Sequence, residues 1–362
     1  HSAPACAGVF QTDPNPGYPE FLSERIADGV RRAVNNLGPA RIGWGTGTLP
    51  DEVHNRRWHM KPGVALTDPF GNPDRVKMNP PAGSPDLVEP AGPIDPTVAV
   101  LAVRSPDGRP IALLANYALH YVGGVGPGHA SADYFGMFAD RVQEILKADH
   151  LDPPFVAMLT NGTSGDINNI NFREPRRRQP AYSRMREVAD KLAREVARVW
   201  RSIDDRDRAA LDARSAELRL GVRKPSSSDV TRAREILEWA GDRPLKGLEE
   251  VYARETLLLQ DYPDTVSVTI QATRIGDLGI VAIPCEVFVE IGLELKSNSP
   301  LQPMFTIELA NGYNGYLPTK AQHALGGYET WRARSSYLEV DAAEKITAQA
   351  LELLKAVAGT DR

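Results

Sequence analysis

The chain has 362 residues, 42% of them hydrophobic, which is enough for one large domain or two smaller ones. A formal charge of -5 and a pI of 5.9 leave no basic field for nucleic acid. No segment approaches the roughly 18 consecutive apolar residues of an integral membrane helix.

The chain opens at His1 without a methionine or leader, so it reads as processed or cut. Apolar residues at helical spacing (Phe21, Leu22, Ile26, Val30, Val34) predict a helix over 19–37, closed by Gly38. A short strand is expected over 40–48, then a long ordered loop over 62–96, which is dense in Pro, Gly, Asn and Asp. Two apolar runs, 97–103 and 110–116, flank the turn at 105–108 and predict a hairpin. Helix is expected over 131–147 and a buried strand over 154–160. Residues 173–262 are charge-rich and mostly helical, with amphipathic runs at 185–199, 230–240 and 248–259. Such a block packs on a sheet or forms a cap. Strands return at 265–275, 278–283 and 304–309, with a helix after Glu286 and a last one over 340–357. Strands interspersed with helices indicate an α/β class: a layered mixed sheet flanked by helices. No internal repeat is visible.

Three places carry candidate chemistry. The run 278–283 is continuously apolar, the mark of a strand covered on both faces, and it leads through Pro284 and Cys285 to Glu286. A carboxylate there is costly to bury unless a metal, an arginine or a helix N-terminus offsets it. Its plainer reading is stabilisation of the first turn of its own helix. His120 stands at the exit of another apolar strand, where a structural role and a metal role both fit. The segment 160–169 is rich in turn formers and reads as an anion-binding nest or a tight turn; it contains a glycosylation sequon at Asn161–Thr163. Cys285 is most simply a small apolar filler, and with only Cys6 beside it no disulfide framework is possible. The glycine-rich 123–128 lacks the spacing of a phosphate or dinucleotide loop and reads as a flexible loop.

Together these segments resemble the catalytic domain of the neutral/alkaline (non-lysosomal) ceramidase family, in order and over almost the whole chain. His1–Pro4 resembles the second half of the family's Thr-His-x-His-Ser-Gly/Ala-Pro motif, and Asn55–Arg56 its Asn-Arg pair. Residues 116–120 resemble the strand bearing a second metal histidine, with Ser131–Asp133 and Gly136 following. Residues 283–286 match the Pro-x-Glu carboxylate. Residues 311–319 and 327–329 match the closing tyrosine motifs.

The resemblance implies a zinc site and a small-molecule or lipid N-acyl substrate. His120, Glu286 and Tyr316 would be zinc ligands, with water activated for attack on the amide. His1 would shuttle protons, while Arg56 and Tyr328 would be oxyanion donors. Family members are commonly exported, so a bacterial, secreted or periplasmic enzyme is expected.

This chain departs from the family in three ways. The family's first metal histidine would fall just upstream of His1, so that ligand is missing or His1 replaces it. Asn168 stands where ceramidases place a serine; an amide cannot be an acyl-accepting nucleophile, which leaves Asn168 as a hydrogen-bond donor and water as the attacking group. The family's immunoglobulin-like C-terminal domain has no counterpart, and the expectation is one catalytic domain over 1–362 with a helical insertion or cap at 173–262. The reading is a divergent zinc-dependent amide hydrolase. The alternatives are a zinc hydrolase of an ester or lactone, or a non-catalytic metal-containing binding protein of the same fold.

Overall fold

The computed structural model describes residues 14–176 and 178–359. Helix α1 (Tyr18–Asn35), with a proline in its first turn, is followed by β1 (Arg41–Thr48). Short strands β2 (His54–Asn55), β3 (Arg57–Met60), β4 (Val76–Met78) and β5 (Leu87–Pro90) lead to the hairpin β6 (Thr97–Arg104) and β7 (Pro110–Tyr117). Next come α2 (Asp133–Leu146), β8 (Val156–Asn161), β9 (Ile167–Asn168), α3 (Ser183–Ser202) and β10 (Leu211–Gly221). A helical hairpin, α4 (Ser227–Ala240) and α5 (Gly247–Gln260), precedes β11 (Thr265–Ile275), β12 (Leu278–Ile283) and β13 (Glu286–Val287). The chain closes with α6 (Val289–Asn298), β14 (Met304–Glu308), β15 (Tyr316–Leu317), α7 (Lys320–Leu325) and α8 (Ala342–Ala358).

Two mixed four-stranded sheets form the frame, ordered β1-β6-β7-β8 and β10-β11-β12-β14. In each, the first three strands are antiparallel and the fourth returns parallel to the third. The return passes through a helix: α2 between β7 and β8, α6 between β12 and β14. The sheets meet through a thin apolar layer that includes Ala99, Leu101, Leu278, Ile280 and Phe305. Outside the first sheet, α2 and α3 bring Phe138, Val142, Leu192 and Val196 onto Val100, Leu113 and Ala115. Outside the second, α8 brings Ile346 and Leu354 onto Ile270 and Val281. The order is helix, sheet, sheet, helix. A central strand so placed is covered on both faces, which is why β6 and β12 are apolar almost without interruption. The layered, mixed α/β class is the one the sequence predicts.

The structure differs from the sequence reading in four places. The block 173–262, read as a mostly helical insertion or cap, also contains a long strand. Its three amphipathic runs are helices, and the strand is β10, paired along its full length to β11 from Leu211↔Ile275 to Gly221↔Thr265. Helix α3 buries Val188, Leu192 and Val196 in the core of the first sheet, and α5 puts Leu259 into the core of the second. β10 escapes notice because it is an edge strand with most of its residues exposed, so charged residues interrupt its alternation. The loop 62–96 carries two short strands, β4 and β5, on either side of β3. Helix α1 forms where its periodicity places it, yet none of its residues is buried and Phe21, Ile26, Val30 and Val34 are each more than 50% exposed. Glu286 belongs to β13 rather than to a helix; α6 starts at Val289, and its first-turn acid is Glu290.

Candidate active site

The third strand of each sheet leads into one site. β7 ends at Tyr117 and the chain turns to His120; β12 ends at Ile283 and turns to Glu286. Both side chains lie beyond the carboxyl ends of parallel strand pairs, where open α/β sheets leave a crevice. His120 Nε2 lies 3.6 Å from Glu286 Oε2, and both residues are buried. Tyr316 is paired to Glu286 in the two-strand ladder of β13 and β15, so its hydroxyl reaches the same carboxylate. Gly315, at φ +74, makes the turn that delivers it. Gly165 allows close approach on the other side: a β-carbon there would lie 2.6 Å from the Glu286 carbonyl oxygen.

Arg56 completes the cluster. Its Nε donates to Glu329 Oε1 at 2.9 Å, and its Nη2 donates to the Gly165 carbonyl at 2.7 Å and to the Tyr316 hydroxyl at 3.1 Å. Arg57 Nη1 donates to the other Glu329 oxygen at 2.8 Å, so one fully buried carboxylate fixes two guanidinium groups. The Tyr328 ring packs edge-on against Tyr316 with centroids 5.8 Å apart.

Electrostatics orient these groups. Burial, reinforced by the nearby Arg56 charge, holds the His120 imidazole well below its ordinary pKa, so the ring is neutral. Its Nδ1 lies 3.3 Å from the Ser164 carbonyl, which can only accept. The proton therefore sits on Nδ1, and the Nε2 lone pair turns toward Glu286. Burial also raises the Glu286 carboxyl, opposed by Arg56 and the Tyr316 hydroxyl. Tyr316 is raised well above a normal phenol by burial and by Glu286, and Tyr328 is pushed up to about 12 by the same two causes.

Of the residues singled out in the sequence, His120, Glu286, Tyr316 and Arg56 come together, with Tyr328 beside them. Asn168 does not join them through a hydrogen bond: its Nδ2 donates to Asn79 Oδ1 at 3.1 Å, and its Oδ1 accepts from Asn169 Nδ2 at 3.1 Å. Its strand β9 pairs with β2, with Asn168 opposite His54. His1 lies outside the described residues. Sequence reasoning passes over Tyr313, whose hydroxyl lies 3.5 Å from Glu286 Oε1, and over Glu329 and Glu308. Tyr313 and Glu329 sit within segments already matched to motifs. Glu308 carries the same signal as Glu286, a carboxylate closing an apolar strand.

The donor set suits a cation. Glu286 Oε2 is buried with no hydrogen-bond partner among the described residues, and it faces a neutral imidazole lone pair. The 3.6 Å between them is close to the roughly 3.3 Å expected of two ligands each about 2 Å from one tetrahedral ion. Among the described residues no third His, Cys, Asp or Glu joins the pair, so the next donor is the Tyr316 phenol. A cavity of about 860 Å³ is lined by Glu52, His54, Val122–Gly124, Asn169 and Arg184, and none of the cluster residues lines it.

The chain superposes on a ceramidase complexed with C2 with a TM-score of 0.61 at 15% identity, covering 92% of this chain and 56% of that one. The neutral ceramidase from Pseudomonas aeruginosa gives a TM-score of 0.59 at 19% identity, covering 92% and 54%. The chain has a ceramidase-like fold. It spans little more than half the length of either ceramidase. No family model and no curated protein sequence matches it. The ceramidase-like fold thus rests on three-dimensional similarity and on the motif residues already described. Among the described residues no helix is long and apolar enough to cross a membrane.

Proposed function

We propose that the chain is a zinc-dependent hydrolase of an N-acyl amide, ceramide-like in having an acyl group joined to nitrogen. One observation carries the reading. In a ceramidase-like fold, residues from four separate segments converge so that a buried, unpartnered carboxylate oxygen faces a neutral imidazole nitrogen. Residues spread over 56–316 would not meet in this way if each served only its local structure.

His120, Glu286 and Tyr316 are the residues that would hold zinc. Bound there, zinc would polarise the scissile carbonyl as a Lewis acid. The remaining work falls to the chain itself. The Ser164 carbonyl keeps the His120 proton on Nδ1, so Nε2 presents its lone pair. Glu329 and Gly165 hold the Arg56 guanidinium rigid, and the hydrogen bonds described leave its Nη1 available to a developing oxyanion. Tyr328, kept protonated by burial and by Glu286, is a second donor. With Asn168 tied to Asn79 and Asn169 and carrying an amide in any case, the reaction is direct hydrolysis by water without an acyl-enzyme.

Metal content by elemental analysis, followed by turnover of ceramide, short N-acyl amides and matched esters, tests the proposal. One zinc per chain with cleavage of an amide is the expected result. Zinc with ester cleavage alone would move the assignment to an esterase. Absence of both zinc and turnover would remove the hydrolase reading.

A further inference from the structure

The two sheets share more than a strand order. In the parallel ladder β7–β8, the last residue of β7, Tyr117, pairs with Asn161, the last of β8. In the ladder β12–β14, the last residue of β12, Ile283, pairs with Glu308, the last of β14. Asn161 and Glu308 thus occupy equivalent places in two topologically equivalent halves, and they touch: Asn161 Nδ2 donates to Glu308 Oε1 at 2.8 Å.

Glu308 does more than meet its counterpart. Its Oε1 also accepts from Ser164 Oγ at 2.7 Å, and its Oε2 accepts from Ser164 N at 3.1 Å and from Val287 N at 2.8 Å. Four donors therefore converge on one buried carboxylate. They come from the two segments that set the candidate ligands: Ser164, whose carbonyl orients His120, and Val287, the neighbour of Glu286. Among the described residues no lysine, arginine or histidine forms an ion pair with Glu308, so neutral hydrogen bonds alone hold it. A glutamine at this place would keep two acceptor positions but turn an amide NH2 toward donors.

We infer that Glu308 is a positioning residue that fixes His120 relative to Glu286 by tying the loop 161–164 of the first half to β13 of the second. The inference rests on the metal reading of the cluster for its consequence, but the positioning itself is a property of the metal-free chain. It assigns a role to a carboxylate that the proposed chemistry leaves unused.

The test compares Glu308→Gln with wild type and with Glu250→Gln, which removes a carboxylate bonded to Arg243 and Lys246 in the α4–α5 hairpin, outside this network. Zinc affinity is read by competition with a fluorescent chelator. The His120 tautomer is read by NMR of the metal-free protein labelled with 15N-histidine and assigned by the signal missing in His120→Ala. Glu308→Gln is expected to weaken zinc binding by about 10- to 100-fold and to lose the fixed Nδ1–H signal, while Glu250→Gln leaves both unchanged. Should Glu308→Gln not fold, Ser164→Ala and Asn161→Ala each remove one donor and keep the carboxylate, with about threefold weaker zinc binding expected in each. Lower melting temperature with zinc affinity and tautomer both intact would overturn the inference, leaving Glu308 a purely structural residue. If wild type binds no zinc, the metal reading fails, and the tautomer signal alone decides whether Glu308 positions His120.

Discussion

The two halves of the frame are built alike and loaded differently. Each is an antiparallel meander whose fourth strand returns through a helix, and each sends a side chain into the site just beyond its third strand. The first half delivers a neutral base, His120, held by a backbone carbonyl. The second delivers the acids: Glu286, its neighbour Tyr316 and the bracing Glu308. A repeated topology can thus make an asymmetric site, because the symmetry fixes where side chains emerge and leaves their chemistry free. Neither half alone carries both His120 and Glu286.

The largest expected effect comes from removing either half's contribution. His120→Ala and Glu286→Ala should each abolish bound zinc in elemental analysis and reduce amide turnover to background. Retention of zinc by one of them would mean that a single half carries the metal. Next is the layer between the halves. Phe305 is 1% exposed where the sheets meet, and Phe305→Ala should cost about 3–5 kcal/mol in denaturant unfolding. A cost below about 1 kcal/mol would mean that the outer helix-covered cores hold the halves without their contact.

Buried groups in the two halves should also give opposite pH limbs in the metal-free protein, with Asp166 and His120 of the first half on different limbs. Burial raises Glu308 to about 8 and Asp166 to about 6, above unfolded values of 4.5 and 3.8. Their contribution is complete below about pH 4 and is lost as pH rises toward 8. His120 is depressed, so its contribution is complete above its ordinary 6.5 and is lost as pH falls. Each limb should appear as a fall in melting temperature across a pH series. His120→Ala should shallow the acid limb, and Glu308→Gln the alkaline one. The smallest effect belongs to neither half: Val30→Asp on α1, which buries nothing, should change stability by less than about 0.5 kcal/mol.

The sequence makes the ends of the apolar strands legible, and with them His120 and Glu286, because a polar residue after a run covered on both faces needs an explanation. Arg56, Tyr316 and Tyr328 become legible only through their motif surroundings. Glu308 ends β14 just as visibly, but its meaning depends on the register of two ladders and on the meeting of two sheets, which periodicity does not encode. The same limit hides the helix–sheet–sheet–helix order and β10. Helix α1 teaches the converse lesson: its apolar spacing identifies a helix and says nothing of what covers it.

The sequon at Asn161–Thr163 bears on how the protein can be produced. The side-chain nitrogen of Asn161 that a glycosylating host would modify at the Asn161–Thr163 sequon is the atom bonded to Glu308. Sugar attached there during translocation would occupy that nitrogen before the sheets close. Expression through a glycosylating secretory route should therefore yield misfolded or inactive material, which a host lacking the transferase would rescue fully and Asn161→Gln, which removes the sequon and one donor to Glu308, would rescue largely.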